Sequence, residues 1–317
     1  MNRDGLVLAL CGGVGGAKVA LGLSCLLAGE RLIIACNTGD DFQHLGLAIS
    51  PDVDTILYTL SGLSNRELGW GREGETWNAM AALEALGGET WFRLGDADLA
   101  LHLVRTQMLQ AGATPSEVVD HVRLRLGIEA RVVPATDDPV RTIVATNEGE
   151  LAFQDYFVRS RCEPPVRSLR YEGAERAKPA PAVSAAFDDQ RLSAIVFCPS
   201  NPYLSLAPIL AIPAVSDALR RRRVPSVAVS PLVGGKAVKG PTDKIMAEMG
   251  LEPSALEIAR YLRPWIDMLI LDESDAGNAG AIESIGVKVV LAPTLMTSTT
   301  DKIEVARTAL RAANVPC

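Results

Sequence analysis

LVLALCGGVGGAKVALGLSCLL, residues 6–27, is the stretch on which the fold turns. An apolar run ending in Cys11 is followed by four glycines around one valine, and then by a helical pattern. Strand, glycine turn and helix in that order open a parallel α/β sheet. Gly12, Gly13, Gly15 and Gly16 let backbone N–H groups approach an anion, and the helix start adds the favourable end of its dipole. Neither familiar phosphate pattern fits. Ala17 stands where the Walker loop needs glycine, and the last position of G-x-G-x-x-G falls on Lys18. The loop therefore predicts a phosphate-type anion without naming the ligand; a tight packing turn is the alternative. The apolar run before Cys11 spans only residues 6–10, too short for a secretory signal, and the glycines break any membrane span. The expectation is a soluble cytoplasmic protein.

Working outward, apolar runs at residues 6–11, 32–37, 194–198, 226–230, 268–272 and 287–292 alternate with helical patterns. They predict an α/β fold: a Rossmann-like parallel sheet of about six strands with a mostly helical insertion. The core covers residues 1–60 and 190–317, and the insertion residues 61–189. Helices are expected at 75–86 and 96–110. A third starts at the capping box Thr114-Pro115-Ser116-Glu117. The insertion's second part, 131–160, reads as a small β region with strands at 131–133, 142–145 and 151–158. Residues 164–181 read as a proline-rich loop returning to the core.

Ligands in such sheets bind at the carboxyl ends of the strands, so the loops there carry the chemistry. Asn37-Thr38-Gly39-Asp40-Asp41 and Pro51-Asp52-Val53-Asp54-Thr55 place doubled acids beside the glycine loop. Asp52 and Asp54 fall in a helix's first turn, where capping explains one of them. Two acidic loops near a phosphate cradle suit magnesium, which binds through one or two carboxylates plus substrate phosphates. Arg93 precedes a helix expected to be capped by Asp96. Ser200 and Asn201 sit between two prolines after the third core strand, and Gly234-Gly235-Lys236 follows the fourth. The three histidines show no zinc or triad spacing, and the cysteines show no C-x-x-C pair. A net charge of −7 argues against a nucleic acid partner, and the basic run 220–223 reads as a solvated helix end.

Taken together, GGVGGAK (12–18), NTGDD (37–41), SPDVDTILYTL (50–60), GETWN (74–78), WFRLGDADLALHLVRTQML (91–109), CPSNPYLSLAPIL (198–210), SPLVGGKAVKGPTDKIM (230–246) and LMTSTTDK (295–302) resemble the 2-phospho-L-lactate transferase (CofD-like) family. The resemblance covers essentially the whole chain. It implies transfer of a phosphorylated three-carbon acid from a guanosine diphosphate carrier to the ribityl hydroxyl of the deazaflavin Fo. GMP is released and Mg2+ assists, as a step in coenzyme F(420) biosynthesis. By the same resemblance Asp54 and Arg93 contact Fo, with Asp41 and Asn78 on the substrate side. Asp40 or Asp41 joins Asp54 around the metal, Asp40 being preferred, and Asp40 and Asp54 form the catalytic pair. Gly12, Gly13, Gly15 and Gly16 cradle the donor phosphates, with Ser200, Asn201, Gly234, Gly235 and Lys236 near the guanosine. A homodimer is implied. Ala97 and Leu101 depart from the family's usual basic residue and threonine. Alternatives are a nucleotide-sugar-binding regulator of the gluconeogenesis-factor type, and a dehydrogenase disfavoured by the broken glycine pattern. Asp54→Asn is expected to abolish transfer while leaving the fold intact. The residues do not decide which three-carbon acid is carried.

Overall fold

A computed structural model describes residues 5–65 and 70–316. Its centre is a seven-stranded sheet: β1 (Leu6–Cys11), β2 (Leu32–Cys36), β3 (Arg131–Pro134), β4 (Leu192–Phe197), β5 (Ser226–Val229), β6 (Met268–Leu271) and β7 (Lys288–Leu291). The spatial order is β3-β2-β1-β4-β5-β6-β7, and every neighbouring pair is parallel. The chain winds one way from β1 to β3 and the other way from β4 to β7. The order thus reverses between β1 and β4, the switch point at which doubly wound sheets leave a crevice.

Alternation along each strand builds two cores. Leu6, Leu8 and Leu10 face one side with Ile195, Phe197, Leu269 and Leu271. Val7, Ala9 and Cys11 face the other with Ile34, Val196 and Ile270. Helix α1 (Gly13–Leu26), helix α2 (Pro51–Leu60) and the helix Thr299–Ala312 cover this second face through Ala20, Leu23, Ile56, Leu57 and Ala306. Every residue of β1 is buried, which is why the strand reads as a continuous apolar run.

Seven strands replace the expected six because residues 131–134 join the main sheet rather than the small β region. Val132 and Val133 contribute to opposite cores, and the backbone pairs with the free edge of β2. The separate antiparallel sheet consists of Gly149–Ala152, Arg141–Thr146 and Val166–Glu172, in that order. Its last strand lies inside the stretch expected to be a loop. Leu169 and Tyr171 pack inward between charged neighbours, a period of two that the flanking prolines obscured. The strand expected at 151–158 stops at Ala152 and continues as the π-helix Asp155–Arg159.

The insertion also holds helices α3 (Asn78–Ala85), α4 (Asp96–Gln110) and α5 (Pro115–Arg125), the last with its capping box formed as expected. Helices α3 and α4 cap each other. Asp96 accepts from the amides of Asn78 (3.1 Å) and Ala79 (3.0 Å), which sets the start of α3 three residues later than the sequence pattern. Glu75 accepts from the amides of Ala97 and Asp98, both at 2.8 Å. Asp96 therefore caps its neighbour and not its own helix. Among the described residues no single helix is long and apolar enough to cross a membrane.

Candidate active site

A cleft of about 880 Å³ opens along the carboxyl edge of the sheet, lined by the loops after β1, β2, β4 and β5 and by the insertion. Its inner wall is the N-terminus of α1. Gly13 takes φ +64°, a left-handed conformation that favours glycine. A Cβ at Gly15 would overlap the Pro199 carbonyl oxygen, and one at Gly12 would overlap the Asp52 carboxylate. Both loops could not otherwise come together. The Gly12 amide donates to Ser200 Oγ at 3.0 Å, and the Gly13 amide is held by Asp52. The helix carries no acidic residue in its first turn, and the amides of Val14 and Gly15 have no partner within the helix. That end remains open to an anion. Gly15→Ala is expected to displace the Pro199–Ser200 loop, costing about 1–3 kcal/mol and at least tenfold in turnover. Thermal melting and a steady-state assay would check it, and wild-type values in both would refute the close approach.

The floor is acidic. The Asn37 amide nitrogen donates to Asp52 Oδ2 (2.9 Å), the Leu204 carbonyl (3.3 Å) and Asp40 Oδ1 (3.4 Å). Burial, then the charges of Asp52, Asp41 and Asp54, push the Asp40 carboxyl well above the usual carboxylate range. Burial lifts Asp41 to about 7 against the pull of Arg141 and Arg105, and its Oδ1 has no partner. Asp52 is raised by burial as well, despite hydrogen bonds from Asn37, Gly13 and Ser205.

Asp54 differs from these. Both its oxygens take hydrogen bonds from Arg105, one of them at 2.9 Å, and Arg105 is only 3% exposed. Arg105 also contacts His102 Nδ1 at 3.1 Å. On the far side of that ring, His102 Nε2 lies 3.4 Å from Asp98 Oδ1, which accepts from the Tyr58 hydroxyl at 2.6 Å. Asp54, Tyr58, Asp98 and His102 all line the cleft.

The outer wall is aromatic and cationic. Arg93 stacks 4.2 Å over Trp77, and Arg159 lies 4.4 Å over Trp91. Phe153 and Phe157, at the start of the π-helix, stack at 5.2 Å. Lys18 and Lys239 reach the rim, and Lys18 Nζ donates to the Met296 carbonyl at 2.8 Å.

Of the residues singled out from sequence, Gly12, Gly13, Gly15, Asp40, Asp54, Arg93, Ser200 and Asn201 line this one cleft. Others stand apart from its lining. Gly16 packs on Ser200 and Cys11, Asp41 lies behind the floor, and the Asn78 side chain is spent on Asp96 (3.0 Å). Gly234, Gly235 and Lys236, expected near the guanosine, are not among the residues lining the cleft. The two glycine amides donate to Asp275 at 2.9 and 2.8 Å, and Lys236 is exposed. Val233 and residues 238–242 of that loop line the cleft instead. Sequence reasoning missed Tyr58, Asp98, Phe153, Phe157, Arg159 and Arg161. Their signal was faint, since helical or strand periodicity accounts for Tyr58, Asp98, Phe153 and Phe157, and only the folding of the insertion over the cleft brings them together with Arg159 and Arg161.

A cleft at the switch point of a doubly wound sheet, walled by a helix N-terminus and floored by carboxylates, belongs to an enzyme class handling phosphate-bearing substrates. The family model described as 2-phospho-L-lactate transferase CofD matches residues 7–295, and the chain belongs to that family. It is a transferase of coenzyme F(420) biosynthesis. A phosphoenolpyruvate transferase from Streptomyces griseus is 40% identical over 313 residues, covering 97% of this chain and 98% of the relative. A 2-phospho-L-lactate transferase from Methanopyrus kandleri is 42% identical over 306 residues, covering 95% and 96%. In fold, the chain resembles the crystal structure of a UPF0052-family protein from Bacillus halodurans. That likeness has a TM-score of 0.62 at 14% identity, over 98% of this chain and 100% of the other.

Proposed function

We propose that the protein transfers a phosphorylated three-carbon acid from a guanosine diphosphate-linked donor to the ribityl hydroxyl of Fo, releasing GMP. The observation that carries this reading is the two-walled cleft: an open helix N-terminus suited to phosphates faces an aromatic and arginine wall suited to a planar ring. The acids lie on the floor between the two. The acceptor hydroxyl is the nucleophile, so no protein nucleophile is required, and positioning with charge neutralisation does most of the work.

The floor fits a divalent cation. Among the described residues Asn37 is the side chain that hydrogen-bonds Asp40, and neighbouring carboxylates repel its ionised form. Magnesium binds through one or two carboxylates and completes its shell from substrate phosphates. Asp40 and the cleft edge of Asp54 would hold it, and the ion would neutralise charge on the transferred phosphate. Magnesium is expected to raise the melting temperature of the wild type and not that of Asp40→Asn. An equal shift in both proteins would remove Asp40 from the metal site.

Two of the strongly similar relatives are named for different acids, and the choice of acid is part of the test. The protein, Fo and magnesium are incubated with the guanosine diphosphate adducts of phosphoenolpyruvate, 2-phospholactate or 3-phosphoglycerate, and products are weighed by mass spectrometry. One adduct is expected to give a heavier deazaflavin with GMP in equal amount. No product from any of the three overturns the reading.

A further inference from the structure

Among the described residues four carboxylates line the cleft, and three of them have surroundings that give them other work. Asp52 backs the glycine loop through Gly13, Asn37 and Ser205. Asp54 gives both oxygens to Arg105. Asp40 sits among like charges at the place suited to a cation. The fourth, Asp98, is built differently. Its Oδ1 accepts from the Tyr58 hydroxyl at 2.6 Å and lies 3.4 Å from His102 Nε2, while its Oδ2 takes no hydrogen bond from any described residue. The side chain is 16% exposed and lines the cleft. Its backbone is pinned as well, because the Asp98 amide donates to Glu75 at 2.8 Å. One oxygen is thus clamped and the other left bare.

We propose that Asp98 Oδ2 is the group that accepts the hydrogen of the attacking hydroxyl, making Asp98 a catalytic residue of this transferase. The inference rests on the acceptor reading given above. In the step, the hydroxyl oxygen forms its bond to phosphorus as the bond from phosphorus to the GMP oxygen breaks. The electron pair of the broken bond leaves with GMP. The hydroxyl proton passes to Asp98 Oδ2, from which solvent removes it. No oxidant or further reactant is needed.

Geometry gives Asp98 this role rather than Asp54. Imidazole His102 separates the two carboxylates, with Nδ1 3.8 Å from Asp54 Oδ2 and Nε2 3.4 Å from Asp98 Oδ1. A substrate held at Asp54 is therefore one ring width from Asp98. Proton acceptance needs a carboxylate that is ionised and within hydrogen-bond reach of the hydroxyl. Burial raises the affinity of Asp98 for a proton, but the neighbouring His102, the hydrogen bond from Tyr58 and the charge of Arg105 outweigh it, leaving the carboxyl below its ordinary range. It is ionised at neutral pH. Phosphoryl transfer to other hydroxyls uses an aspartate in this manner.

The test uses Asp98→Asn and Tyr58→Phe in the full chain, with Fo fluorescence quenching for binding and GMP release for turnover. Asp98→Asn is expected to bind Fo within about threefold of wild type while kcat falls roughly 10²–10⁴-fold. Tyr58→Phe frees the carboxylate to turn, and kcat is expected to fall about three- to tenfold with Fo binding unchanged. Turnover of Asp98→Asn within threefold of wild type overturns the proposal. So does a loss of Fo binding that accounts for the whole defect, because Asp98 is then a binding or structural group. Should Asp98→Asn not fold, unchanged kcat in Tyr58→Phe overturns it instead. Absence of GMP release by wild type with all three adducts brings down the acceptor reading, and this inference with it. That result differs from a defect confined to the variants.

Discussion

Asp40→Asn is expected to give a more stable protein that no longer turns over. Asp40 is 5% exposed and sits beside Asp41, Asp52 and Asp54, with a neutral amide as its side-chain partner. Its ionised form is therefore costly in the folded state. A carboxyl whose folded pKa lies above its unfolded value stabilises the fold fully at low pH and loses that contribution as pH rises through the folded pKa. Asp41, raised from 3.8 to about 7, sets the window: stability of the metal-free wild type should fall as pH rises from about 4 to about 7. Asparagine at position 40 removes one repelling charge. The expected gain at neutral pH is about 0.5–2 kcal/mol with a shallower pH slope, while transfer drops on the order of 10²–10³-fold. Urea denaturation at pH 5, 6, 7 and 8 in EDTA measures the first, and GMP release with magnesium the second. A variant less stable than wild type at pH 8 would mean that Asp40 is compensated by a group outside this account.

That pairing of instability with activity explains why the acid loops were legible in sequence while their division of labour was not. Doubled aspartates after a core strand, and again in a helix's first turn, exceed what capping needs, so a charged site could be read directly. Which acid is satisfied depends on partners far along the chain. Arg105 reaches Asp54 across 51 positions from inside a helix whose periodicity hides it, and Asp275 reaches the Gly234 amide across 41. The glycines of that second loop resemble a phosphate cradle because a strand end, two glycines and a lysine look alike in either use. Their φ values of +60° and +72° serve a tight turn between two short strands. The first loop differs in its geometry: Gly15 packs against the Pro199 carbonyl, and the helix end carries no acidic residue in its first turn. The sheet was the easiest part to read. Runs buried on both faces, such as β1 and β5, have little other use, whereas residues 131–134 start on an exposed arginine and end in a proline, which hides the sheet they join.

The Asp54–Arg105 pair changes what mutation of Asp54 should do. On sequence grounds Asp54→Asn is expected to leave the fold intact, but the structure buries Arg105 behind it, and among the described residues no other carboxylate pairs with that guanidinium. Removing one member of a buried pair strands the other and costs about 3–5 kcal/mol, whereas replacing both by apolar residues is often neutral. Asp54→Leu and Arg105→Met, like Asp54→Asn, are each expected to lose stability of that order. Asp54→Leu/Arg105→Met should recover most of the loss while remaining inactive. The two positions are then strongly coupled, whereas losses at independent sites simply add. Denaturant midpoints of the wild type, both single variants and the double variant decide it. Additive losses would show that Arg105 is held by His102 and the Ala48 carbonyl rather than by Asp54. Recovery of stability without recovery of transfer would show instead that the buried cation is retained for holding the Asp54 carboxylate at the cleft, since the fold can dispense with both charges together.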